Sequence, residues 1–174
     1  MVRILLTLII CFSINYSCSV KKQTCETNLD RIFLNEKPKN LKIKGTAYIK
    51  STPVLFLFKQ SKLKIFTPFG KKIGEFDKNL ITKELSFIKE LPITLEEILT
   101  AKIYKNNISK ISCENGYTVL RKSNINFYIK NSKIKYIKWK NYKIEYSYNF
   151  SKVSIIKLYN KDKVLLKIYL KWVL

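Results

Sequence analysis

Lys163-Val164-Leu165-Leu166-Lys167-Ile168-Tyr169-Leu170-Lys171-Trp172 alternates with a period of two. Val164, Leu166, Ile168, Leu170 and Trp172 share one face; Lys163, Leu165, Lys167, Tyr169 and Lys171 share the other. That is the pattern of a strand with one buried side. The same alternation opens the domain: Leu41, Ile43, Gly45, Ala47 and Ile49 lie opposite Lys42, Lys44, Thr46, Tyr48 and Lys50. Between these two strands the chain is mostly short β-rich segments. Thr52-Pro53 is read as a break before Val54-Leu55-Phe56-Leu57-Phe58, which is apolar on both faces. A strand over 62–67 runs into Pro68-Phe69-Gly70, a turn signature, and 73–77 returns from it. Segments near 103–112, 117–122, 125–130, 133–139, 142–148, 152–159 and 163–173 follow at hairpin spacing. Many sequential strands imply an antiparallel meander that curls, as an open or closed barrel, to protect its edges.

One stretch reads as helix. Pro92 precedes Ile93 to Leu99, Thr94 can cap, and Glu96 and Glu97 fall in the first turn, where the helix dipole favours acids. This gives an internal helix near 94–101. Leu29, Ile32 and Phe33 at i, i+3, i+4 suggest a second, short amphipathic helix.

The 174 residues make one ordinary domain, and 47% hydrophobic residues supply a core despite a net charge of +22. There is no histidine, which removes Ser-His and Cys-His catalysis and His-ligated metal. With 4 glycines and none of the Gly-rich phosphate motifs, and with acids scattered without pairing, the reading is a non-enzyme without metal or cofactor. Only Arg3, Arg31 and Arg121 are arginines among 34 basic residues. A bias towards A/T-rich codons explains the joint excess of Lys, Ile and Asn. Attraction to an anionic membrane surface, at about 1 kcal/mol per nearby Lys, is compatible with it. Nucleic-acid recognition is disfavoured, because bidentate base and phosphate contacts call for Arg.

The N-terminus reads as an address. Arg3 precedes the apolar run Ile4 to Ile14, which at ~1.5 Å per residue is too short to span a bilayer. It is read as a signal peptide over 1–17. Ser17-Cys18 at its end resembles a bacterial lipobox, although Asn15 and Tyr16 depart from the usual pattern. Cys18 is expected to be the acylated first residue of the mature chain, simple cleavage nearby by the ordinary signal peptidase being the alternative. Residues 18–40 read as a charged tether, and 41–174 as the domain. Cys25 and Cys113 are expected as two unpaired small apolar side chains, a disulfide being the alternative.

Several fragments, in order, resemble the LolB family of outer-membrane lipoproteins. These are Lys44-Gly45-Thr46-Ala47-Tyr48-Ile49, Leu63 to Gly70, Leu91-Pro92-Ile93-Thr94-Leu95, Asn141 to Tyr146, and Leu165 to Val173. The resemblance implies a mainly β fold: an incomplete barrel with helices lining its mouth and an apolar cavity for acyl chains. It implies a monomeric, lipid-anchored receptor that faces the periplasm from the outer membrane. Such a receptor takes lipoprotein acyl chains, or related lipid, from a LolA-like periplasmic carrier. The turn residue Phe69 matches the family's membrane-inserting position, with Lys71 and Lys72 beside it to meet lipid phosphates. From the strand alternation, Ile43, Ala47, Leu55, Leu57, Ile65, Ile144, Leu166 and Ile168 are expected to line the cavity. The alternatives carried are a structural envelope lipoprotein without cargo and a basic nucleic-acid-binding barrel.

Overall fold

The computed structural model describes residues 25, 28–36, 41–49, 51–60, 62–76, 90–106 and 108–172. The expected signal peptide and Cys18 lie outside them. The elements within the described residues are thirteen strands and one complete α-helix: β1 (Phe33–Leu34), β2 (Lys42–Ile49), β3 (Thr52–Lys59), β4 (Lys62–Phe66), β5 (Lys72–Phe76), α1 (Leu95–Thr100), β6 (Ile103–Tyr104), β7 (Ile108–Glu114), β8 (Tyr117–Lys122), β9 (Ile125–Lys130), β10 (Lys133–Trp139), β11 (Tyr142–Asn149), β12 (Lys152–Asn160) and β13 (Lys163–Trp172).

Eleven of the strands form one antiparallel sheet in the order β5-β4-β3-β2-β13-β12-β11-β10-β9-β8-β7. Two meanders, β2 to β5 and β7 to β13, are sewn together where β13 pairs with β2, Trp172 opposite Ile43 and Leu166 opposite Ile49. Among the described residues the outermost strands β5 and β7 do not pair, so the sheet is an incomplete barrel. Register shifts in the β9–β10, β11–β12, β12–β13, β4–β5 and β7–β8 ladders bend it. Tight turns set the ladder: Asn115-Gly116 and Asn131-Ser132 hold positive φ at both central residues, the backbone that matches strand twist in two-residue hairpins.

The concave face carries the core. Ile43, Phe58, Leu120, Phe127, Ile134 and Ile156 belong to one cluster that also takes in Ile98 and Leu99 of α1. Gly45 is required on this face, since a Cβ there would run into the Tyr169 carbonyl oxygen and the Phe56 ring. The helix is held by a capping box: Glu97 N–H donates to Thr94 Oγ1 at 3.1 Å, and Thr94 N–H to Glu97 Oε2 at 2.8 Å. Glu97 Oε1 accepts from the Tyr104 N–H at 3.0 Å and from Lys122 Nζ at 2.8 Å. That ion pair is 7% and 2% exposed, and it pins α1 to β8 inside the half-barrel.

Four expectations are corrected. The N-terminal helix is a single 3-10 turn, Asp30–Ile32, because Phe33 is already extended and enters β1, which pairs in parallel with β6. The tether over 18–40 gives way at Leu29 and Ile32, which are buried in the core. Pro53 does not break the strand; it lies within β3 opposite Tyr48, and the turn falls at Ser51 instead. Cys25 and Cys113 are not unpaired: they form a disulfide that ties the N-terminal segment to edge strand β7.

Candidate functional site: an apolar cleft with a cationic rim

Trp172, the last residue of β13, marks one end of the half-barrel. There, a cleft of about 610 Å³ opens between the 3-10 turn, the end of α1 and two hairpin tips. Its floor is apolar: Leu34 of β1, Leu41, Val153 of β12 and Trp172 of β13. Trp172 Nε1 donates to the Val153 carbonyl at 2.6 Å, which fixes the indole and satisfies its one polar atom within the protein. Around the floor stand Arg31, Lys102, Lys133 and Lys152, and among the described residues no acid lines the cleft. Asn131 and Ser132 complete the lip. The volume falls in the ordinary range for a small-molecule site, roughly 300–1,000 Å³. Apolar floor below cationic rim is the arrangement that suits an amphiphile with an anionic head.

None of the eight residues expected to line a cavity lies in this cleft. Ile43, Ala47, Ile144 and Leu166 are closed into the core, and Ile65 and Ile168 pack against it. The concave face is on the correct side of these strands, but α1 and the 3-10 turn fill it. Leu55 and Leu57 are corrected to the convex face, because register places their neighbours Phe56 and Phe58 opposite Gly45 and Ile43. With Phe66 and Tyr169 they form a shallower cleft of about 420 Å³, flanked by Lys44 and Lys171. Of the residues that do form the main cleft, Leu41 and Trp172 stood at the ends of the two alternating sequence stripes. Leu34 and Val153 come from two further segments with no motif in common.

Phe69 sits at the tip of the β4–β5 turn and is 97% exposed. The turn is set by Thr67: its N–H donates to the Lys71 carbonyl at 2.8 Å, its carbonyl accepts from Gly70 at 2.9 Å, and Gly70 takes φ 86°. Lys72 pairs with Glu75 at 3.0 Å, and Lys71 is exposed. This turn is at the opposite end of the strands from the cleft, so Phe69, Lys71 and Lys72 are not brought together with it. Phe69→Glu is expected to change stability by no more than about 0.5 kcal/mol, the ordinary effect of a surface change. Thermal denaturation of the two proteins checks it.

The convex face carries a tyrosine ladder. Tyr128 and Tyr136 stack at 4.3 Å, and Tyr117 meets both edge-on. Lys138 lies 5.4 Å from the Tyr128 ring centre and Lys143 lies 5.0 Å from that of Tyr136. Burial pushes the Tyr136 hydroxyl up to about 12, with the neighbouring tyrosines adding to the effect. Each ring thus has a ring or an ammonium against it. No protein-family model matches the chain, and no curated protein matches it.

Proposed function

We propose that this protein is a lipid-anchored receptor or carrier that takes the acyl chains of lipoproteins, or of a related lipid, into the end cleft and passes them to the outer membrane. The observation that carries the reading is the layered cleft, an apolar floor of Leu34, Leu41, Val153 and Trp172 beneath four cations. Acyl chains need apolar contact without direction, and the rim supplies charge for a headgroup phosphate or carboxylate. Burying about eight methylenes at about 0.8 kcal/mol each gives roughly 6 kcal/mol, a Kd on the order of tens of micromolar. Binding of that strength permits release. A LolA-like soluble carrier would supply the cargo from the periplasm. The chemistry uses no catalytic group, metal or cofactor; it is transfer between apolar environments.

The disulfide supports an oxidising compartment outside the cytoplasm, where an exported chain would fold. Anchoring is assigned to Cys18, seven residues before Cys25. Cys18→Ala is expected to move the protein from the membrane to the soluble fraction. Retention of the variant in membranes after a high-salt wash would contradict the anchor.

Displacement of a fluorescent fatty acid tests the cleft itself. Leu34→Asp places a carboxylate on the apolar floor, and an uncompensated charge there is expected to weaken binding at least about tenfold. The exposed pair Lys102→Glu and Lys152→Glu reads the rim without touching the core. Unchanged displacement in both variants would remove the cleft from the account.

A further inference from the structure

Among the described residues two phenylalanines are almost fully exposed, Phe69 at 97% and Phe150 at 90%, and the register sets them at opposite ends of the half-barrel. Asn149 opposite Lys152, and Lys130 opposite Lys133, put the turns at 150–151 and 131–132 at one end. That is the end where Trp172 meets Val153 and the cleft opens. Phe66 opposite Leu55, and Ile49 opposite Leu166, put Phe69 at the other. The nine residues of β12 separate the two ends by about 30 Å.

Phe150 is held in an unusual way. Its φ of 53° lies in the left-handed region, where Asn or Gly is ordinary and a large ring is not. Lys133 Nζ donates to its carbonyl at 2.5 Å, so the ring projects from the same lip that carries the rim cations. The disulfide adds an independent constraint. Cys113 lies beside the Glu114–Tyr117 pair, which closes the β7–β8 turn at this same end. From Cys18 to Cys25 is seven residues, which reach at most about 25 Å when fully stretched. An acyl anchor on Cys18 therefore holds the Phe150 end close to the bilayer.

We propose that this end of the half-barrel rests on an anionic lipid surface. The Phe150 ring inserts among the acyl chains, and Arg31, Lys102, Lys133 and Lys152 meet headgroup phosphates. The inference rests on the anchored, lipid-carrying reading. It gives the cleft an opening at the bilayer itself, so that a chain leaving it crosses little water. It also turns Phe69 away from the membrane that holds the anchor.

The test uses protein purified from membranes and reconstituted into phosphatidylcholine vesicles containing phosphatidylglycerol, with brominated acyl chains as quenchers. Phe150→Trp and Phe69→Trp are compared after subtracting the parent emission of Trp139 and Trp172. Emission at 150 is expected to be quenched and blue-shifted, and to lose both effects when phosphatidylglycerol is omitted; emission at 69 is expected to stay that of a ring in water. Absence of quenching at 150, equal quenching at both positions, or indifference to the anionic lipid overturns the proposal. Phe150→Asn relieves the backbone and is expected to melt no lower than the parent, so a folding defect does not confuse the outcome. Fatty-acid displacement on the same samples separates the two readings. Displacement retained without quenching overturns the orientation alone, and quenching without displacement overturns the carrier reading alone.

Discussion

Glu97→Ala is expected to destabilise the protein by about 4 kcal/mol, because breaking a buried ion pair by removing one partner typically costs 3–5 kcal/mol. Three groups lose their partner at once. Lys122 Nζ keeps only the Tyr104 carbonyl at 3.4 Å and the Asn106 Oδ1 at 3.5 Å. The Tyr104 N–H and the Thr94 N–H lose their carboxylate acceptors. The dominant part is the ammonium left in the interior, since the cap alone is worth about 1 kcal/mol. Chemical denaturation measures the loss. The double variant Glu97→Leu with Lys122→Met removes both charges together and is expected to recover part of it, as apolar replacement of buried pairs commonly does. If the double variant loses as much as the two single changes summed, the pair carries no coupling and the account of how α1 is held is wrong.

Loss of the disulfide ranks with it. Cys25 and Cys113 are 88 residues apart, and closing a loop of that length in the unfolded chain corresponds to about 4.5 kcal/mol on the chain-entropy model. For a chain of this size that is a fall in melting temperature of roughly 10–15 °C. Cys113→Ser and reduction of the parent protein are expected to give matching shifts, while reductant leaves the melting of Cys113→Ser unchanged. Equal melting of oxidised and reduced parent would contradict the link. The N-terminal segment feels the loss first, because Leu29 and Ile32 reach the core just after this staple.

The strands were legible in the sequence because a buried face leaves a period of two. Lys163 to Trp172 and Leu41 to Ile49 announce both the strands and their inward sides, and the capped helix after Pro92 is equally plain. The parts that were not legible are those where a second layer decides. In Val54 to Phe58 both faces are apolar, so periodicity could not choose between Leu55 and Phe56; register with Gly45 does. Ile43 and Ile144 look like cavity wall from their strands alone, but α1 and the 3-10 turn cover that face. The cleft lies instead where strands end, assembled from Leu34, Leu41, Val153 and Trp172. Residues that far apart in the chain share no pattern. The disulfide was open for the same reason: Cys113 sits in an edge strand, and only the fold shows what passes beside it.

The central claim is that an acyl chain occupies the end cleft. Native mass spectrometry of protein extracted from membranes tests it most directly, because it weighs the covalent anchor and any non-covalent lipid separately. The account predicts a chain beginning at an acylated Cys18 that carries a further, releasable lipid, and loss of that lipid but not of the anchor in Leu34→Asp. Protein that carries no releasable lipid, or whose lipid is retained in full by Leu34→Asp, would contradict it.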